Sequence, residues 1–142
     1  MLSMSPYIVF NGEAREALAF YQSVFGGDLH TTTFSEFGGP AGSEQEIMHG
    51  QLTTSSFVLM ASDNPDKTSP RGPGNVTICL WGDDVDTGRA WFAALAEGAQ
   101  VNMDFAEQIW GDWYGDVTDR FGVSWGINVT KRAEAQLAEG AV

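Results

Sequence analysis

Tyr7-Ile-Val-Phe-Asn-Gly-Glu13 leads into Ala17-Leu-Ala-Phe-Tyr21 and closes on Val24-Phe-Gly-Gly27; later, Ile78-Cys-Leu-Trp-Gly-Asp-Asp84 leads into Arg89-Ala-Trp-Phe92 and closes on Leu95-Ala-Glu-Gly98. Phe20 and Trp91 are 91 − 20 = 71 residues apart, and Gly27 and Gly98 repeat that offset, 98 − 27 = 71. A fixed offset of this kind marks a duplicated supersecondary unit. Each copy reads as a strand, an acidic turn, an amphipathic helix and a glycine stop. In the first, Asn11 or Gly12 opens the helix, with Glu13 and Glu16 in the first turn, where carboxylates suit the helix dipole. Ala17, Phe20, Tyr21 and Val24 fall at helical spacing, and Gly26-Gly27 ends the run. In the second, Asp84 or Asp86 opens the helix, Ala90, Trp91, Ala94 and Leu95 form the stripe, and Gly98 stops it.

Three strand-like runs follow each helix. In the first copy they are Leu29–Phe34, Ile47–Thr53 and Phe57–Ser62, with Thr54-Ser55-Ser56 as the turn between the last two. In the second they are Gln100–Phe105, Trp113–Thr118 and Val123–Val129, with Asp119-Arg-Phe-Gly122 as a hairpin turn. The expected class is α+β: two βαβββ modules, over residues 5–63 and 74–130, forming a cupped mixed or antiparallel sheet with the helices outside, in a single domain spanning residues 1–142. The stretch from Asp63 to Gly74, rich in Pro, Ser, Asp and Gly, reads as a linker. Residues 36–44 form a loop long enough for a lid, and the alanine-rich tail after Lys131 reads as a helical turn or a frayed end.

Composition narrows the function classes. A hydrophobic content of 43% with 18% charged residues supports a packed core rather than disorder. The formal charge of −12 gives a field that repels phosphate backbones and anionic membranes, so nucleic acid is not an expected partner. No apolar run approaches the ~20 residues of a membrane span, and no basic, then apolar, leader precedes the first strand. Cys79 is the only cysteine, so no internal disulfide framework exists. A cytoplasmic protein is expected.

Alternation along the strands separates two faces. Val76, Ile78 and Leu80 suit packing under a helix, whereas Asn75, Thr77, Cys79 and Trp81 take the other side. Val123, Trp125 and Ile127 oppose Ser124, Gly126 and Asn128; Met48 and Leu52 oppose His49, Gln51 and Thr53; Leu59 and Ala61 oppose Met60 and Ser62. A plain solvent face would carry more Lys and Glu. His, Gln, Thr, Asn, Cys, Met and Trp instead suit a ligand surface that is apolar with a few placed polar groups. An interface edge or a satisfied polar core would look the same.

These strings resemble a known family. Pro6-Tyr-Ile-Val-Phe-Asn-Gly12, Phe20-Tyr21 with Phe25-Gly-Gly27, Ile47-Met-His-Gly50, Leu59-Met-Ala-Ser-Asp63, and Trp110-Gly-Asp112 with Asp119-Arg-Phe-Gly-Val-Ser-Trp-Gly-Ile-Asn128 are similar to the PhnB-like branch of the vicinal-oxygen-chelate superfamily, the glyoxalase, bleomycin-resistance and dioxygenase fold. The resemblance runs from about Ser5 to Asn128. It implies a cupped sheet completed in a homodimer, and in metal-dependent members a His or Glu at four cup positions. Those positions map to Pro6, Met60, Asn75 and Gly126, none of which is a normal metal ligand. Only His30 and His49 could supply imidazole. Some relatives are named as ubiquinone-pathway methyltransferases, but no Gly-rich nucleotide loop follows a strand here.

The expectation is therefore a metal-independent small-molecule-binding protein without a cofactor, its ligand held in the sheet concavity. His49 is the sharpest candidate, as a hydrogen-bonding group or a general base, weighed against a structural histidine. Ile8, Phe10, Gln51, Met60, Asn75, Thr77 and Cys79 complete the expected ligand surface, with the Trp110, Trp113 and Tyr114 cluster as stacking rings. Asp112 and Asp116 stand two residues either side of Tyr114 and could select a cationic ligand. The rival reading is a metal-dependent lyase, isomerase or dioxygenase that recruits a metal through other ligands, such as His49 with Glu46 or an acid from a partner chain. A third is an interaction protein whose cup is filled by its own side chains.

Overall fold

The structure, a computed structural model, describes residues 1–131. The backbone forms two compact units, which divide between Arg71 and Gly72. The first contains β1 (Tyr7–Phe10), α1 (Ala14–Phe25), β2 (Asp28–Thr33), a 3-10 turn (Phe34–Phe37), β3 (Ile47–Thr53) and β4 (Val58–Asp63). The second contains β5 (Ile78–Gly82), α2 (Val85–Leu95), β6 (Gln100–Glu107), β7 (Trp113–Thr118) and β8 (Ser124–Val129). Each unit is a four-stranded mixed sheet, ordered β1-β4-β3-β2 and β5-β8-β7-β6. The first strand of each pairs in parallel with the last, and the other pairs are antiparallel. The expected α+β class with two repeated βαβββ modules is the observed one. The repeat offset is 78 − 7 = 71 at the first strand and 85 − 14 = 71 at the helix, then 113 − 47 = 66 and 124 − 58 = 66 at the last two strands. The change falls where the first unit inserts the loop holding its 3-10 turn. The tail after Lys131 lies outside the described residues.

One face of each sheet is buried under its helix. In the first unit α1 buries Ala14, Ala17, Leu18, Phe20 and Tyr21, and the sheet answers with Ile47, Leu52, Leu59 and Ala61, all at most 1% exposed. Gly50 sits on this face with no side chain, because a Cβ there would run into Leu18 Cδ1. In the second unit Leu95 of α2 is buried, as are Leu80, Val117, Trp125 and Ile127 of the sheet, and α2 packs on β7 and β8. Gly88 plays the reciprocal part on the helix, where a Cβ would come within 2.7 Å of Val129 Cγ2. Glycine on either partner lets helix and sheet approach closely, and an added methyl would overpack the contact.

Each unit is tied by a buried carboxylate. Asp63, at the end of β4 and 4% exposed, accepts from the backbone N–H of Gly12 (2.8 Å), Ala14 (2.9 Å) and Ile47 (2.9 Å). It therefore caps α1 from a distant strand and joins the starts of α1 and β3. The residue at the cap position, Glu13, makes no side-chain cap bond and pairs instead with Arg71 at 2.6 Å. The expectation that Asn11 or Gly12 opens this helix is corrected accordingly. Asn11 serves the linker, donating to Ser69 O and accepting from Ser69 N. In the second unit Asp84 caps α2 locally, accepting from Thr87 N–H at 3.0 Å and the Thr87 hydroxyl at 2.6 Å. The buried carboxylate there is Asp119, which takes the N–H groups of Phe121 and Val123 and the indole N–H of Trp125, the last at 2.8 Å.

Asp63→Asn leaves one oxygen where two served three donors. We expect a loss of about 2 to 4 kcal/mol in urea unfolding, since a buried acceptor of charge-assisted bonds is removed. Glu13→Ala should cost less than about 1 kcal/mol, the usual range for an exposed ion pair. Equal effects for the two variants would refute Asp63 as the capping group.

Candidate functional site

Among the described residues of the first unit, α1 is the only α-helix, and it packs on one face of the sheet, leaving the opposite face without a helix of its own unit. Register fixes who stands on it. Tyr7 pairs with Met60, Met60 with Gln51, and Gln51 with His30, so these four form one row across the sheet. His49 pairs with Thr32 in the adjacent row. Tyr7 is 48% exposed, Val9 43%, and His49, Gln51 and Met60 are half-buried. The Tyr7 hydroxyl lies 3.2 Å from His49 Nδ1, with ring centroids 5.7 Å apart. Gln51 donates through Nε2 to the Thr53 hydroxyl at 3.3 Å. The expected side of His49, Gln51 and Met60 is the observed one.

Ile8 and Phe10 are corrections. Ile8 pairs with the buried Ala61, and Phe10 is 5% exposed, so both belong to the helix-covered side. The outward positions of β1 are Tyr7 and Val9. Every residue from Tyr7 to Phe10 is apolar or aromatic, so hydropathy alone carries no parity there.

The open face of the second sheet has its own rows. Trp81 pairs with Asn128 and Asn128 with Tyr114; Cys79 pairs with Gly126 and Gly126 with Asp116. Trp81 is 85% exposed. A Cβ on Gly126 would lie 3.1 Å from the Tyr114 hydroxyl, so the absent side chain is what gives the phenol its place. Burial raises the Tyr114 phenol above its ordinary value of 10.0, and its hydrogen bond to Asp116 and the charges of Asp116 and Cys79 act in the same direction. The phenol therefore stays protonated through neutral pH. Cys79 is exposed on this face. Asp112 accepts from Asn128 Nδ2 at 3.1 Å. Thr77 precedes β5 and shares a 2.8 Å hydroxyl contact with Ser124, while Asn75 is exposed in the loop before it.

The expected aromatic cluster does not form. Trp113 and Tyr114 are successive on β7 and must point to opposite faces. Trp113 lies on the helix side, 5.6 Å from Phe105 and under the Arg89 guanidinium at 5.1 Å. Trp110 sits 58% exposed in the turn between β6 and β7. Only Tyr114 of the three reaches the open face. Sequence reasoning passed over Tyr7 as the partner of His49. No local signal pointed to it, since the parity of β1 is not legible and 42 residues separate the two side chains.

Sequence reasoning also missed a pocket at the start of α2, lined by Asp83, Asp84, Val85, Asp86, Arg89, Trp113 and Lys131. Its charges are partly engaged already: Arg89 pairs with Asp86 at 3.0 Å and lies over Trp113, and Asp84 is occupied by Thr87. For a metal, the positions mapped from the family resemblance hold proline, methionine, asparagine and glycine, which do not fit such an ion. Among the described residues, no group of three or more His, Cys, Asp or Glu side chains converges as a ligand set. Glu46, offered as a companion ligand for His49, pairs with Lys67 at 2.5 Å.

Comparison with known proteins bears on the fold and the family. Protein YjdN of Escherichia coli (strain K12) is 30% identical over 151 residues, covering 95% of this chain and all of that protein. The crystal structure of protein PA1353 from Pseudomonas aeruginosa has a TM-score of 0.84 at 38% identity, covering 93% of this chain and 100% of the other. A Bacillus cereus PhnB protein, described as a putative 3-demethylubiquinone-9 3-methyltransferase, shares the fold, with a TM-score of 0.72 at 20% identity over 91% of this chain and 100% of its own. The model of the glyoxalase/bleomycin resistance protein/dioxygenase superfamily matches residues 3–127, and the chain belongs to that superfamily.

Proposed function

We propose that this protein binds a small organic molecule on the open faces of its sheets, without a metal ion. The observation that carries the reading is the make-up of the first unit's uncovered face, where Tyr7, His49, Gln51 and Met60 stand together. A face meant only for water has no use for a half-buried methionine beside a tyrosine–histidine pair. Ligand sites combine apolar surface with a few oriented polar groups, and this face has that make-up. On the second unit, Trp81 supplies an exposed indole, with Tyr114 and Asp116 as polar groups on the same face.

A homodimer and a cytoplasmic location are part of the proposal. Val76, Val101, Met103, Ile109 and Trp110 are large apolar side chains at least 40% exposed, which favours a partner surface. The lone thiol of Cys79 suits a reducing compartment. No described helix is long and apolar enough to cross a membrane.

The rival reading is a metal-dependent lyase, isomerase or dioxygenase. Elemental analysis after loading with nickel, zinc, manganese or iron and dialysis separates the two. We expect metal far below one equivalent; a stoichiometric ion would overturn the metal-independent reading. A thermal-shift screen of planar and cationic compounds should yield ligands that raise Tm as their concentration grows, the free energy of unfolding increasing by RT ln(1 + [L]/Kd). Met60→Arg should abolish that rise while moving the unliganded Tm by no more than about 2 °C, because the substitution leaves the helix-covered core untouched. Retained binding in Met60→Arg would remove the first unit's face from the site.

Tyr114 gives a pH test. Well below pH 10 its phenol is neutral in folded and unfolded chains alike, so it contributes no pH dependence there. Above that value the unfolded chain ionises first, and stability falls as pH rises. We expect ultraviolet titration to show phenolate at Tyr114 later than at an exposed tyrosine, with Asp116→Asn moving it back towards the ordinary value. Unchanged titration in Asp116→Asn would contradict the assigned partner.

A further inference from the structure

The bond between Tyr7 and His49 decides what the imidazole can do. A neutral imidazole has one nitrogen carrying hydrogen and one accepting, and the partner of either nitrogen selects the tautomer. The Tyr7 hydroxyl is 3.2 Å from Nδ1, and no other hydrogen bond reaches this ring from the described residues. Two arrangements satisfy the distance. Either the phenol donates to a bare Nδ1, or an Nδ1–H donates to the phenol oxygen. The first is favoured chemically. A phenol O–H is a strong donor, its oxygen is a weak acceptor because a lone pair is delocalised into the ring, and the bare imidazole nitrogen is the better acceptor.

We propose that Tyr7 is the positioning residue of His49, holding it as the Nε2–H tautomer, so that His49 meets a ligand as a hydrogen-bond donor to an oxygen acceptor rather than as a base. This inference rests on the reading that the first unit's open face binds the ligand. The surroundings agree with it. His30 and Gln51 share the row of Tyr7, and Thr32 stands beside His49, so polar groups able to donate border the pair. No Asp or Glu occupies the rows of Tyr7 and His49 on β1, β3 and β4. The tyrosine is half exposed and the histidine half buried, which puts their bond at the edge of solvent, within reach of an incoming molecule.

The test is nitrogen-detected NMR of the imidazoles in the unliganded, isotope-labelled full chain at about pH 8.5, where an ordinary histidine is neutral. The wild type should show His49 as a single tautomer, with Nε2 protonated and Nδ1 bare and accepting. Tyr7→Phe keeps the ring and removes the hydroxyl, so His49 should relax to the tautomer mixture of free imidazole while the signals of His30 stay in place. A protonated Nδ1 in the wild type, or a His49 spectrum that Tyr7→Phe leaves unchanged, overturns the proposal. A role confined to packing would move neither nitrogen, because the phenyl ring remains. The measurement needs no ligand. Failure of the thermal-shift screen would therefore strike the binding reading and leave the tautomer result standing, and the reverse holds as well.

Discussion

The Asp63 carboxylate holds the first unit in the form its open face requires. Three backbone N–H groups converge on it from the entry to α1 and the start of β3, while the residue itself ends β4. Those bonds fix where the helix begins relative to the strand that pairs with β1 and β3. With α1 anchored there, Leu18 meets Gly50, and one face of the sheet is sealed. Sealing one face is what makes the other available. Residues alternate along each strand, so every side chain sent inward by β3 and β4 obliges its neighbour to face outward. The place of His49, Gln51 and Met60 thus follows from the burial of Gly50, Leu52, Leu59 and Ala61.

The second unit reaches the same end by a different carboxylate. Its helix carries its own cap in Asp84, and its buried acid, Asp119, lies in the hairpin between β7 and β8, where it takes the indole N–H of Trp125. The two units share an architecture, and their buried carboxylates occupy different places in it. The two open faces diverged as well. The first offers two imidazoles, an amide and a phenol; the second offers an indole, a thiol, and a phenol bonded to Asp116.

Much of this was legible in the sequence. The 71-residue repeat, the helix stripes and the strand runs are periodic, and period is what local burial imposes. The faces of β3, β4, β5 and β8 could be read because apolar and polar residues alternate there. Parity was illegible in β1, where four apolar or aromatic residues follow one another and only pairing with β4 turns Ile8 and Phe10 inward. It was misread in the Trp110–Tyr114 string, where aromatic density suggested a cluster although adjacent strand residues cannot share a face. Asp63 as a helix cap and Tyr7 as the partner of His49 lay beyond local reading, since 49 and 42 residues separate the groups they join.

The central claim is that the helix-free faces are the binding surface. Amide chemical-shift mapping with a compound that raises Tm tests it most directly. The account predicts that the largest changes fall on Tyr7, His49, Gln51 and Met60, with α1 and the Gly50 contact undisturbed. Changes centred instead on Asp83, Asp86 and Arg89, at the start of α2, would contradict it and move the site to the pocket there.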